Sequence, residues 1–543
     1  MKDLWRLVKH ISRSRQQTSI AQTLPVDVLY LIYDISADLN PPALGEWDHC
    51  ERLGCVQLTH VCRHWRDVGL NFPGFWGKII SCIPKAAGAL DRARGAPLTF
   101  RPGQGSLHLK DDERVKLRLA VQALAYSQVH RIQCLDLSRD HEPRGSEKMT
   151  YTWFPLFFHP GFMQSLTTLV LISRVHVPAN LLDGSPLCLP SLQRLQYSNP
   201  NHFFVAPALK SLTLDMNSHP LYASQPWQPI QFRVFLNVIR HASYLQELRF
   251  AADNTPRCSD DFFIDISTPI FIEDIVDIPS LHYIGLSGSP SLCRRLLDYL
   301  RIAPSITIHY YAAWVAIEDD LDFASRMTSL LRGMGPQLGW SGHQSLVLGI
   351  SSHKLDLGLS CRVNLDRVWP AEMYQPHVCI SLRFVAGEDL DSTPNQSVAR
   401  PRYMTMIRSF LDIVNTDNMS ALDLTLCRTA HSEILDALRG RMFTSLTDLS
   451  IDIASPSHLL VLAQSPSTSP ALNSLRVVNV KRVKSKHVWG LLGNNPVLTG
   501  SQGRSPANLA QQCSWRVTRR SARVRQPSCS RPAQDPLRAA HDA

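Results

Sequence analysis

Pro207-Ala208-Leu209-Lys210-Ser211-Leu212-Thr213-Leu214 carries the pattern on which the fold of this chain turns. Leu212 and Leu214 stand two apart, so in an extended segment both side chains fall on one face and Ser211 and Thr213 on the other. Leu209, three residues earlier, belongs to the turn that Pro207 opens. A short strand with one apolar face is not stable alone. It needs strands of the same kind beside it and a layer beneath it.

The phrase recurs along the chain, as the sequence from Ser81 to Asn495 shows. Other copies are Ser165-Leu166-Thr167-Thr168-Leu169-Val170-Leu171, Pro190-Ser191-Leu192-Gln193-Arg194-Leu195, Tyr244-Leu245-Gln246-Glu247-Leu248-Arg249-Phe250 and Pro279-Ser280-Leu281-His282-Tyr283-Ile284-Gly285-Leu286. Ser445-Leu446-Thr447-Asp448-Leu449-Ser450-Ile451 and Pro470-Ala471-Leu472-Asn473-Ser474-Leu475-Arg476-Val477 follow, and Gln133-Cys134-Leu135-Asp136-Leu137 reads as a truncated copy. Successive lead leucines are spaced 26, 17, 36 and 36 residues apart from Leu166 to Leu281, and 26 from Leu446 to Leu472. Between copies, Phe232 to Ala242, Ser291 to Ile302 and His431 to Arg439 have helical spacing. Strand and helix in alternation, joined by right-handed crossovers, predict a curved solenoid with a parallel sheet on one side. The phrase resembles an irregular leucine-rich repeat, although the Asn that completes the usual repeat is missing from most copies. From about Ile306 to Asn418 it nearly vanishes, while Ser345-Leu346-Val347-Leu348 and Val378-Cys379-Ile380-Ser381-Leu382 still read as strands. An ordinary α/β domain with leucine-rich strands is the competing architecture.

Upstream, Leu24 to Trp76 has a different period. Val28, Leu29, Ile32 and Ile35 recur at helical spacing, with Pro25 suited to a first turn and Asp27 to the positive helix start. Leu58, Val61, Cys62, Trp65 and Val68 predict a second helix, and Asn40-Pro41-Pro42-Ala43-Leu44-Gly45 is loop chemistry. Roughly fifty residues bury too little apolar surface to be stable alone, so this unit should lean on a neighbour or a partner.

Leu24-Pro25, the Val28 to Ile35 helix, Val61-Cys62-Arg63-His64-Trp65-Arg66 and the closing Trp76 resemble an F-box, in the F-box-like form common in mushroom-type fungi. The resemblance implies docking to a Skp-type adaptor and thence to a cullin-based ubiquitin ligase. It implies adaptor-facing roles for Leu24, Pro25, Val28, Ile32, Val61, Trp65 and Trp76. Together the two resemblances give an α/β chain with a basic lead-in (1–23), a small helical F-box-like unit (24–80), a repeat region (81–495) and a disordered Arg-rich tail (496–543). The same window holds Cys50, Cys55, His60 and His64, a set of metal-ligating types. The gap from Cys55 to His60 leaves no room for the hairpin and helix of a zinc finger, so no metal is expected there.

The net charge of +10 suggests nucleic acid until it is located. Residues 1–23 carry +4 and residues 496–543 carry +6, which leaves 24–495 neutral. A domain built to hold phosphates shows its excess on itself, so nucleic acid is not the expected partner. The tail, with its Arg519-Arg520-x-x-Arg523-x-Arg525 run, is rich in Ser, Gln, Pro and Ala and reads as a solvated segment, with a nuclear address or an anion-binding tail as the other reading. Leu4, Trp5, Leu7, Val8 and Ile11 among basic residues could form an amphipathic targeting helix, but a short lead-in is the preferred reading.

Thirteen cysteines without a Cys-x2-Cys pair, and no signal-peptide pattern, point to free thiols in a reducing compartment, the cytoplasm or nucleus. No apolar run reaches the roughly twenty residues of a membrane helix, and the acceptor sequences at Asn395 and Asn418 are therefore expected to stay unmodified. Gly-x-Ser-x-Gly, phosphate-binding Gly-Lys-Ser/Thr, Gly-x-Gly-x-x-Gly and His-Glu-x-x-His motifs are all missing. Glu318-Asp319-Asp320-Leu321-Asp322 lacks the Gly and terminal Glu of a calcium loop, and with Asp260-Asp261 and Glu273-Asp274 reads as solvated acid. The expectation is a substrate-recognition subunit with no cofactor, which holds an unidentified target protein on its repeats. An F-box scaffold without a degradative role, or an α/β enzyme with a dispersed site, are the alternatives.

Overall fold

The structure, a computed structural model, describes residues 20–42, 53–83, 86–102, 111–138, 156, 159–172, 187–198, 204–216, 232–252, 275–316, 323–351, 354–360, 378–385, 396–427, 434, 437–438, 445–452 and 474–478. Outside them lie most of the basic lead-in, the Arg-rich tail, Cys50, Asn395, most of the His431 to Arg439 segment, and the acidic runs at 260–261, 273–274 and 318–322.

After a four-residue helical turn (Ile20–Thr23) come α1 (Val26–Leu39), a 3-10 segment (Gly54–His60), α2 (Arg63–Leu70), α3 (Pro73–Ile79) and α4 (Ala86–Ala93). The Leu58 to Val68 helix expected from spacing is in fact two pieces. Cys62 is fully extended (φ −158°, ψ 176°) and breaks the helical run, and its carbonyl accepts the amide of Arg66 as α2 begins. Pro25 likewise stands just before α1 rather than in its first turn, its carbonyl accepting the Leu29 amide at 3.1 Å.

Next come β1 (Leu98–Phe100), α5 (Asp111–Ser127), β2 (Ile132–Asp136), α6 (Pro160–Ser165) and β3 (Thr168–Ile172). They are followed by β4 (Leu187–Cys188), β5 (Arg194–Ser198), β6 (Phe204–Val205), β7 (Ser211–Met216), α7 (Phe232–His241), β8 (Glu247–Ala252), β9 (Val276–Asp277), β10 (Tyr283–Ser287), α8 (Pro290–Asp298), β11 (Leu300–Arg301) and β12 (Thr307–Ala316). The remainder is α9 (Phe323–Gly333), α10 (Gly335–Leu338), β13 (Ser345–Ser351), β14 (Lys354–Ser360), β15 (Val378–Val385), α11 (Gln396–Ile413), β16 (Ala421–Cys427), β17 (Asp448–Asp452) and β18 (Ser474–Val478). The architecture is mixed α/β, with one 14-stranded sheet in the order β1-β2-β3-β5-β7-β8-β10-β12-β15-β14-β13-β16-β17-β18.

The leucine phrase sets the register of that sheet. Leu169, Leu195, Leu212, Leu248, Ile284 and Ile308 lie side by side across β3, β5, β7, β8, β10 and β12, every pair parallel. Two residues on, Leu171, Tyr197, Leu214, Phe250, Leu286 and Tyr310 form a second row. All of these but Leu171 are buried, as are the lead leucines Leu166, Leu192, Leu209, Leu245 and Leu281. Each buried side chain of this size contributes about 1.5–3 kcal/mol. The turn before each strand repeats as well. The Lys210 carbonyl accepts the amides of Gln246 (2.8 Å) and Glu247 (3.0 Å), and Thr167, Gln193 and Gln246 do the same for the strands that follow them.

The phrase fades where the strand order departs from chain order. After β12 the chain skips two places to β13, returns as antiparallel β14, and only with β15 pairs beside β12. A strand in such a meander needs no turn of the Leu-x-x-Leu kind. Beyond it, β16, β17 and β18 resume parallel pairing with Leu422, Leu449 and Leu475 in register.

The N-terminal helices share one continuous hydrophobic core with the sheet. The chain passes from α3 through Ile80–Cys82, all three buried, toward β1. Among the described residues, no helix is long and apolar enough to cross a membrane.

Candidate functional site

Helix α1 has two apolar faces. Leu29, Tyr33 and Ala37, one turn apart each, are buried with Ile32 and Tyr30 half-buried beside them. The stripe expected from spacing therefore splits. Leu29 goes to the core, Ile32 to its margin, and Val28 and Ile35 to solvent. Val28, Leu31, Ile35 and Leu39 make the second face, and Leu31 and Leu39 are 59% and 81% exposed. A surface helix normally presents one apolar stripe, so a second one facing water marks an unfilled contact. Of the eleven large hydrophobic side chains exposed among the described residues, eight lie between Val26 and Leu70. The signal in the sequence was Leu31 and Leu39, which complete the outer stripe at i+3 and i+4 steps from Val28.

The inner face is an aromatic nest. The Tyr33 hydroxyl donates to the Trp65 carbonyl at 2.8 Å, and its ring meets Phe75 edge-on with centroids 4.9 Å apart. Trp76 packs edge-on against Phe75 and donates Nε1–H to the Gly69 carbonyl at 2.9 Å. Arg92 of α4 covers the Trp76 ring. Burial pushes the Tyr33 hydroxyl up to about 12, with smaller contributions from Cys62 and Cys55.

The seven residues expected to meet a partner divide accordingly. Pro25, Val28 and Val61 are exposed, and Leu24 and Ile32 are half-buried. Trp65 and Trp76, at 8% and 4% exposure, are core residues. Trp65 lies against Tyr33 of α1, and Trp76 against Phe75 of α3 beneath Arg92 of α4. They hold the outer stripe in place from behind. His64, beside Trp65, turns back so that Nε2 donates to the Leu24 carbonyl at 3.1 Å, fixing the lead-in to α1.

Of the metal-type residues in this window, Cys55 is buried with its thiol pushed up to about 12, mainly by burial, and His60 is exposed. Among the described residues no group of three or more His, Cys, Asp or Glu is placed to hold a metal ion.

A charged seam joins this unit to the sheet. Lys78 of α3 reaches Asp34 at 2.7 Å and Asp38 at 2.9 Å, and Arg101 beyond β1 reaches Asp38 at 2.9 Å. Burial alone would raise the Asp38 carboxyl. The hydrogen bonds from Lys78 and Arg101 outweigh it and hold the group below the usual carboxylate range.

No family model matches the chain, and no curated protein matches it either. The residues themselves carry the functional argument.

A second surface lies on the face of the sheet opposite the buried rows. There Arg194, Ser211, Glu247, Tyr283 and Thr307 form one outward row, and Gln196, Thr213, Arg249, Gly285 and His309 the next. Glu247 accepts from the Ser211 hydroxyl at 2.9 Å and from Arg249 Nε at 2.7 Å. The Arg249 guanidinium sits 5.2 Å from the Tyr283 ring centre, and the Tyr283 hydroxyl lies 3.3 Å from His309 Nδ1. The Leu-x-Leu phrase placed these positions outward, but their mutual contacts depend on register, which the sequence does not display.

Proposed function

We propose that this chain is an F-box-type subunit of a cullin-based ubiquitin ligase, docking a Skp-type adaptor through its N-terminal helices and presenting a target protein on its sheet. The observation that carries the reading is the unfilled apolar stripe Val28, Leu31, Ile35 and Leu39, in a helical unit that also exposes Pro25 and Val61. An adaptor with an apolar groove would bury that stripe, and the hydrophobic gain scales with the area covered. The in-register parallel rows and repeated turn hydrogen bonds support an irregular leucine-rich-repeat-like solenoid as the platform behind it. Such a subunit needs no catalytic residue of its own. It works by holding the target near the ubiquitin carrier, which raises effective concentration. Work of this kind belongs in the cytoplasm or nucleus and asks nothing of membrane or nucleic acid.

The test is capture of a purified Skp-type adaptor by the full chain, with Leu31→Asp and Ile35→Asp as variants. Wild type should retain the adaptor and the variants should lose it with unchanged melting temperature. Retention by both variants, or no capture by wild type, sinks the proposal. Adaptor capture without ubiquitination of any bound protein would turn the reading into a scaffold.

A further inference from the structure

The outward face of the sheet between β5 and β12 has a chemistry of its own. Across its first two outward rows, aromatic rings occur only on β10 and β12, where Tyr283 and His309 touch and Tyr311 follows two residues on. Arg249 stacks on Tyr283 from the β8 side. Between these walls the floor is small, formed by Ala251, Gly285 and Ser287. Tyrosine and arginine are the residue types that anchor protein contacts: tyrosine offers large area with little conformational freedom to lose, and Arg249 is already held by Tyr283 and Glu247.

Charge then selects the partner. Both Glu247 oxygens are already engaged, by Ser211 and by Arg249. Arg194 on β5 and Lys210 in the turn before β7 are exposed and have no ion-pair partner among the described residues. Gln246 and His282 occupy the same turn position before β8 and β10, so the rim at this end of the strands is polar or basic from β5 to β10. Cations two and three strands from an aromatic anchor, with no ion-pair partner among the described residues, complement a segment that carries carboxylates ahead of an aromatic or aliphatic side chain. Resting on the docking reading above, we infer that the target is recognised through an acidic peptide segment laid across β5 to β12, its carboxylates on Arg194 and Lys210 and its apolar side chain on Tyr283 and Tyr311. Four strand spacings separate β5 from β12, about 19 Å, the reach of about six extended residues.

The test uses the full chain and fluorescein-labelled peptides of alternating Glu-Tyr, Gln-Tyr and Lys-Tyr, followed by fluorescence anisotropy. The Glu-Tyr peptide should bind, the other two should bind at least about tenfold more weakly, and the double variant Arg194→Glu, Lys210→Glu should lose about tenfold or more in affinity with unchanged melting temperature. Tyr283→Leu should weaken the Glu-Tyr peptide while leaving the preference over Lys-Tyr intact. Equal binding of all three peptides overturns the inference. So does Glu-Tyr binding that survives the double reversal, since a basic segment elsewhere, such as the Arg-rich tail, would then be holding the peptide. Adaptor capture measured on the same variants separates the two claims. Peptide binding without capture removes the ligase reading alone, and capture without peptide binding removes the acidic segment alone.

Discussion

Tyr33 and Gly69 set the distance between α1 and α2. A Cβ at Gly69 would lie 2.6 Å from the Tyr33 ring and hydroxyl, closer than any real contact allows. With the Tyr33 hydroxyl bonded to the carbonyl of Trp65 on the same helix, the ring is clamped between two points of α2. This clamp turns Leu29, Tyr33 and Ala37 inward and leaves Val28, Leu31, Ile35 and Leu39 facing out. The apolar exposure of the unit thus follows from how its interior is satisfied.

Replacing Tyr33 with Phe keeps the ring but removes the hydroxyl that donates to the Trp65 carbonyl, which should cost about 0.5–1.5 kcal/mol. Gly69→Ala should cost about 1–3 kcal/mol through overpacking against the same ring. Urea denaturation of the two variants measures both. Equal stability of Gly69→Ala and wild type would mean that the helices are not as close as the clamp requires.

Alkali should loosen the same unit. Tyr33 has a hydroxyl raised by burial to about 12, above its ordinary value of 10.0. A raised folded-state pKa gives stability that is complete below the unfolded value and is lost as pH rises toward the folded one. Stability should therefore decline between about pH 10 and 12, and Tyr33→Phe should remove part of that decline. Melting temperature against pH for both proteins decides the matter.

The seam between the helices and the sheet should respond at the acid end. Asp38 is held below its ordinary 3.8 by Lys78 and Arg101, so its contribution is present above that value and is lost as pH falls below it. Asp38→Asn should destabilise the protein by about 1 kcal/mol near neutral pH and flatten the acid limb, because these groups are partly solvated and the pairing is screened. High salt should shrink the difference.

Much of the sheet could be read from the chain because each Leu-x-x-Leu-x-Leu copy states both a strand and its inward face, although the register between copies is visible only in the folded sheet. The mixed α/β class followed from those copies, while the strands at 345–348 and 378–382 were legible from their own short apolar runs, outside the phrase. The strand order between β12 and β16 was not, since a hairpin excursion and a parallel crossover use the same alternation and differ only in pairing. In the N-terminal unit, spacing found α1 but did not show which of its apolar positions turn inward. Nearly every turn of the helix offers an aliphatic residue, and only the fit of Tyr33 against Trp65 and Gly69 decides which side turns inward. Trp65 and Trp76 were singled out by the F-box resemblance, and a motif position does not state how deeply its side chain is buried.

The outer stripe and the inner face should separate under mutation. Ile35→Ala removes a side chain that is 47% exposed and should cost no more than about 1 kcal/mol. Leu29→Ala, in the core, should cost about 2–5 kcal/mol. Thermal melts of the two single variants give the comparison. A loss at Ile35 as large as that at Leu29 would place the stripe against another part of this chain and remove the case for a partner there.

The rows of the sheet allow the sharpest contrast. Leu248 stands in the inward row between Leu212 and Ile284 and is fully buried, so Leu248→Ala leaves a cavity bordered by both neighbouring strands. It should cost about 2–5 kcal/mol. Thr213, one residue beyond Leu212 in the outward row beside Arg249, should tolerate Ala within about 0.5 kcal/mol. Because each strand touches only its neighbours, the Leu248 cavity should weaken β7, β8 and β10 more than β17 and β18. Hydrogen exchange resolved by peptide tests this directly. Protection should fall across 211–216, 247–252 and 283–287 and stay unchanged in 448–452. Uniform loss along the whole sheet would mean that the strands unfold as one cooperative block.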